Sequence, residues 1–143
     1  MKKNIFTFLF FLFFTFNISA EKIYLTCDGG SDYAAAFRWI ELDKEQKSII
    51  FTGTWGNVEI DEKTYEQKWY EASGYSEDLM SIYFKFKKTD FSIDRENLIL
   101  KEKANGEYGF SPLAFKCNIN DSFNAQNEHR INYWKARLKK NKI

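Results

Sequence analysis

Met80-Ser81-Ile82-Tyr83-Phe84-Lys85-Phe86-Lys87 is the stretch on which the fold turns. Met80, Ile82, Phe84 and Phe86 fall on one side of an extended chain, and Ser81, Tyr83, Lys85 and Lys87 on the other. A period of two in which one phase is apolar and the other carries hydroxyls and ammonium groups belongs to an antiparallel strand with one face in a core and one in water. The strand is expected to span residues 79 to 88.

The same period extends in both directions. Upstream, Ile23, Leu25 and Cys27 share a face, and the turn signal Asp28-Gly29-Gly30-Ser31 follows. Residues 34 to 42 carry Phe37 and Trp39 on one face, 43 to 47 are charged and turn-like, and the β-branched run 48 to 52 ends at Gly53. Short strands are expected at 58 to 60 and around Tyr65, Gln67 and Trp69, with a break at Ser73-Gly74. Downstream, residues 91 to 93 and 98 to 100 flank the polar Asp94-Arg95-Glu96-Asn97, and Asn105-Gly106 is a strong turn signal. Leu113, Phe115, Cys117 and Ile119 form the apolar phase of a last strand.

Beyond Asn120 the period lengthens. Phe123, Asn127, Ile131, Trp134 and Leu138 recur at three- and four-residue steps, Asp121 or Ser122 can cap the start, and lysines crowd the last turn. Residues 122 to 140 are expected to form one amphipathic helix whose apolar stripe packs on the sheet; a membrane-surface role for its basic face is the alternative. About eight short strands followed by a helix predict an all-β domain, a small antiparallel barrel or a sandwich.

At the other end, Lys2 and Lys3 precede an apolar run from Ile5 to Phe16 and the small residues Ser19 and Ala20. Charged, apolar and small, in that order, is the layout of a secretory leader. The run is short for a spanning helix, which needs about 20 apolar residues. The expected organisation is therefore a leader over 1–20, a β-domain over 21–119 and the helix in 120–143, with no transmembrane segment in the mature chain and a periplasmic or secreted location.

The net charge of +1 changes with loss of the leader. The 21 basic residues less Lys2 and Lys3 leave 19 against 20 acids, net −1. Residues 128 to 143 hold six basic residues and one acid, so the end of the chain is a basic tail on an acidic body. It can fold back on that body or meet an anionic partner.

Two cysteines in an exported chain favour a disulfide. Cys27 continues the Ile23–Leu25 phase and Cys117 the Leu113–Phe115 phase, so both thiols point into one core. A bond between them closes a loop of about 90 residues, for which chain entropy gives a stabilisation of about 4.6 kcal/mol. No Cys-x-x-Cys is present to suggest a redox role.

Catalytic parts are sparse. His129 is the single histidine and is expected to face solvent; a histidine-based metal site is not expected. No Gly-rich phosphate loop and no nucleophile elbow occurs. Asp61-Glu62 and Glu77-Asp78 read as polar turns, and a carboxylate pair from distant strands is invisible to sequence. No enzyme activity, cofactor or nucleic-acid partner is expected. Trp39, Trp55, Trp69 and Tyr70 are candidates for a ligand cavity or for plain core.

Two resemblances add to this reading. Leu25-Thr26-Cys27, the central Ile93-Asp94-Arg95 and the late Cys117 resemble the pattern of short, uncharacterised exported bacterial β-domain proteins, which implies an exported domain and singles out Arg95. Ile23-Tyr24-Leu25-Thr26-Cys27-Asp28-Gly29, Ser73-Gly74-Tyr75 and Tyr83-Phe84-Lys85 resemble, more faintly, periplasmic inhibitors of c-type lysozyme. That family is a small disulfide-tied barrel, and the present chain departs from it in the spacing after Ser73-Gly74 and in having no glycine after Lys85. The expected function is an exported, non-catalytic binding or structural β-domain. The alternatives are inhibition of a lysozyme-type enzyme and carriage of a small apolar ligand, so the partner is a protein or a small apolar molecule. Arg95, Trp39, Trp69 and Tyr83 are the candidate binding residues.

Overall fold

The computed structural model describes residues 21–30, 36–55, 59–104 and 113–140. The expected leader and the Asn105-Gly106 turn lie outside the described residues. Nine strands and one helix form: β1 (Lys22–Asp28), β2 (Phe37–Asp43), β3 (Ser48–Gly53), β4 (Tyr70–Glu71), β5 (Ser73–Glu77), β6 (Ser81–Phe86), β7 (Thr89–Asp94), β8 (Ile99–Ala104), β9 (Leu113–Asn120) and α1 (Phe123–Lys140).

All pairings are antiparallel, and the sheet order is β4-β3-β2-β1-β9-β8-β7-β6-β5. β4 and β5 stand at the two ends of that order, yet only Ala72 separates them in the chain. They are two halves of one rising run. The lower half pairs with β3, Ala72 donates its N–H to Ile49 O at 2.9 Å, and the upper half pairs with β6. The sheet thereby becomes a nearly closed barrel of sequential hairpins in which only β1 and β9 meet from opposite ends of the domain.

That meeting is cross-linked. Cys27 lies directly opposite Cys117 in the β1–β9 register, and the two form a disulfide. Both are inside the core, along with the alternating residues expected to be there: Leu25, Phe84, Phe91, Ile93 and Phe115. Ile82 pairs with Ile93 and Phe84 with Phe91, whose rings stack with centroids 4.8 Å apart.

The strand read from the opening stretch is shorter than its alternation, because Met80 sits in the β5–β6 turn and is exposed. Two expected strands do not form. The described part of 58–60 and the 65–69 run are reduced to a single bridge between Ile60 and Gln67, with the turn at 61–64 pinned by Asp61, whose Oδ1 accepts the N–H groups of Lys63 and Thr64. Alternation alone cannot make a strand where no partner strand lies alongside. Conversely, Ser73-Gly74 does not break the chain: Gly74, with φ +64°, marks a register shift inside β5.

The helix also differs from its expected seating. Its buried residues are Gln126, Arg130 and Trp134; Trp134 belongs to the expected stripe, whereas Gln126 and Arg130 each stand one position before the expected Asn127 and Ile131. The wall beneath it is the outer face of β1 and β2, which offers carbonyls as well as rings. Gln126, fully buried, donates its side-chain amide to Leu25 O at 2.7 Å and Ile40 O at 2.9 Å. Arg130 reaches Tyr65 O at 2.6 Å, and Trp134 Nε1–H reaches Gln67 Oε1 at 2.9 Å. The donors of these three side chains meet their acceptors only in one seating, which a stripe of pure hydrocarbon would not specify.

Replacing Cys27 and Cys117 together by alanine is expected to lower the unfolding free energy by about 2–5 kcal/mol, read from the urea midpoint at unchanged slope. Dithiothreitol should shift the wild-type midpoint in the same direction and leave that of the variant where it is.

Candidate ligand-binding site

The barrel interior is sorted by chemistry along its axis. One end, where β3 ends and the β6–β7 turn lies, is filled with rings. Phe51 packs against Trp55, Tyr70, Phe84, Phe86 and Phe91, with centroids 5.2 to 6.4 Å apart. Among them Arg38 is buried, its guanidinium 4.8 Å from the centroids of both Trp55 and Phe115. Its charge is met by Glu102 in a two-point pair, Nε–Oε2 at 2.9 Å and Nη2–Oε1 at 3.0 Å. A buried arginine is tolerable when its donors are spent in this way. Gly53 makes the packing possible, since a Cβ there would stand 2.4 Å from Trp55 and 2.7 Å from Arg38.

The opposite end holds aliphatic side chains and is open. Ile23, Leu25, Leu42, Ile82, Ile93, Leu98 and Ile119 line a cavity of about 350 Å³, and two cations, Lys44 and Arg95, stand at its rim. Leu25, Leu42 and Ile93 form the nearly inaccessible floor, whereas Ile119 is 60 % exposed at the lip. The volume falls at the small end of the range for small-molecule sites.

Three turns surround this mouth, and each is pinned by an aspartate. Asp43 Oδ1 accepts the N–H of Gln46, Asp78 Oδ1 those of Met80 and Ser81, and Asp94 Oδ1 those of Glu96 and Asn97. Asp78 also accepts the Tyr83 hydroxyl at 3.0 Å, and the backbone N–H groups of Met80 and Ser81 hold its carboxyl below the usual range. Arg95 does not pair with its neighbours Asp94 or Glu96. It reaches across to Glu77 on β5.

The four candidate binding residues do not converge. Arg95 belongs to the mouth. Trp39 is completely buried on the outer wall, stacked on Phe37 and covered by the helix through Tyr133 and His129. Trp69 faces a separate groove of about 350 Å³ beside Phe123 and Arg130, where the arginine is already held by Asn127 Oδ1 at 2.8 Å and by Tyr65 O. Tyr83 stands on the outside of the barrel, tied to Asp78. Trp39 is therefore a packing residue. Lys44 and Ile119 belong to the mouth and were not singled out from sequence; their signal lay in the pairing register, which places Ile119 opposite Leu25.

His129, although largely exposed, is not simply in solvent. Its Nδ1 accepts the Trp39 indole N–H at 3.2 Å, and its ring meets Phe37 edge-on at 5.1 Å. Burial of its inner side lowers its pKa, and the more distant Asp28 carboxylate opposes that shift. Among the described residues no group of three or more His, Cys, Asp or Glu is placed to hold a metal ion, and no helix is long and apolar enough to cross a membrane. No protein-family model, curated protein or solved structure matches the chain.

A histidine whose folded pKa is depressed binds fewer protons folded than unfolded, so its contribution is complete above the ordinary value near 6.5 and is lost as pH falls through the folded pKa. Lowering pH from 7.5 to 5 is therefore expected to weaken the seating of α1 and to change the fluorescence of Trp39. His129→Phe should remove that part of the pH dependence; an identical fluorescence profile in the variant would rule out His129 as its source.

Proposed function

We propose that this protein is an exported, non-catalytic binding domain that carries a small apolar ligand in the open end of its barrel. The observation that carries the reading is the asymmetry of the interior. Rings and the Arg38–Glu102 pair fill one end, while the other leaves an aliphatic cavity open to solvent. A barrel that needed only to be stable would gain by filling both ends, since an unfilled apolar space forfeits contacts. Export is supported by the charged–apolar–small leader pattern and by the buried Cys27–Cys117 bond, which suits an oxidising compartment. The reading assigns no cofactor and no nucleic-acid partner.

In the protein lacking residues 1–20, decanol is expected to shift the NMR methyl signals of Ile23, Ile82, Ile93 and Ile119. Ile119→Trp, which places a large ring at the exposed lip without touching the buried floor, should weaken binding about tenfold or more. Saturating decanol that leaves those methyls unmoved, or moves only groups near Trp69, would refute the mouth as the ligand site.

A second reading is favoured by one feature. The two segments that resemble periplasmic lysozyme inhibitors, Ser73-Gly74-Tyr75 and Tyr83-Phe84-Lys85, lie side by side on β5 and β6, with exposed Ser73 opposite exposed Lys85. On this reading that outer face docks on a c-type lysozyme. Excess protein should then slow lysis of cell-wall suspensions, and Ser73→Ala with Lys85→Ala should abolish the effect. Undiminished lysis at a tenfold molar excess, roughly what full occupancy of a micromolar complex requires, would end this reading.

A further inference from the structure

The mouth has a chemical polarity that narrows what it holds, and this rests on its being the ligand site. We propose that it takes a single-tailed amphiphile with a carboxylate head, the tail against Leu25, Leu42, Ile82 and Ile93 and the head between Lys44 and Arg95.

Among the described residues two charged side chains line the cavity, and both are cations. The acids near them are committed elsewhere. Asp43, Asp78 and Asp94 each spend an oxygen on the backbone of their own turn. Glu77 and Glu21, the ion-pair partners of Arg95 and Lys44, do not belong to the cavity wall. The Lys44–Glu21 contact is long, 4.0 Å, with side chains 49 % and 80 % exposed. An exposed pair of this kind is weak, so an incoming carboxylate displaces Glu21 from Lys44 at little cost. Arg95 carries five N–H donors in a planar fork and uses one nitrogen on Glu77, which leaves donors for a second carboxylate in two-point geometry. Among the described residues the wall below is hydrocarbon, with no polar side chain to meet a second head or a hydroxylated tail. One charged end and one apolar end therefore match the site in both chemistry and order. Since both cations sit at the lip, the head stays near water and only the tail is desolvated, which avoids the cost of burying an ion.

The test uses the protein lacking residues 1–20 and three probes with the same ten-carbon tail: decanoate, decanol and decyltrimethylammonium, each below its micelle concentration, at pH 7.5 and low salt. Calorimetry is expected to show decanoate binding about tenfold tighter than decanol and the ammonium weakest. In Lys44→Met/Arg95→Met the preference for decanoate over decanol should disappear. Decanol binding as tightly as decanoate, or a preference that survives in the double variant, would overturn the charged-head assignment and leave the apolar mouth standing. Failure of all three probes would remove both. Should the double variant not fold, Glu77→Gln frees Arg95 of its carboxylate neighbour: tighter decanoate binding supports the assignment, and unchanged affinity overturns it.

Discussion

A meander of hairpins becomes a barrel only if its first and last strands meet, and here that meeting is fixed covalently. β1 and β9 come from opposite ends of the domain, and Cys27 faces Cys117 at the pairing. Much else follows from this one constraint. The interior phase of both strands is set by it, so Leu25, Phe115 and Ile119 must also point inward. The outer phase is set too, which turns Tyr24 and Thr26 toward the helix that follows β9 directly. The helix then lies where its polar residues find the carbonyls of β1 and β2.

The closure also explains how the chain manages with the 70–77 run. A single run serves β3 with its lower half and β6 with its upper half, the change of partner falling at Ala72 and the register shift at Gly74 lying within the pairing to β6. Side chains on that run divide accordingly, with Tyr70, Ala72 and Tyr75 packed against the core. The barrel is narrow, so its two ends can differ. The aromatic half is solid because rings from neighbouring strands are large enough to meet across the lumen, whereas the aliphatic half leaves room.

Most of the strands were legible in the sequence because alternation reports which side chains are buried, and it did so correctly for 82–86, 91–93 and 113–117. The cysteine pairing was legible for the same reason. What failed to show were properties that belong to partners. Tyr65, Gln67 and Trp69 alternate, but their backbone makes no ladder beyond the bridge at Gln67, and β3 meets this segment through the side chains of Thr52 and Gln67. On the helix, hydrophobicity marks Trp134 correctly but points to Asn127 and Ile131 in place of Gln126 and Arg130, which are buried by hydrogen bonding to backbone. Of the candidate site residues, Arg95 was found at the mouth, whereas Lys44 and Ile119 were missed because a rim is defined by which turns share an end of the barrel. Trp39 attracted notice for its size, and its size is what makes it a good floor for the helix.

The turns at the mouth carry a consequence for how the molecule assembles. Each is held by an aspartate bonded to backbone N–H groups two or three residues ahead, so each can form before anything distant is in place. The strand pairs they join are neighbours in the chain, and short loops cost little entropy to close. The β1–β9 pairing alone must gather in the whole intervening chain. Assembly is thus expected to proceed through preformed hairpins, with the joining of β1 to β9 as the slow event, a division of labour that keeps most of the search local.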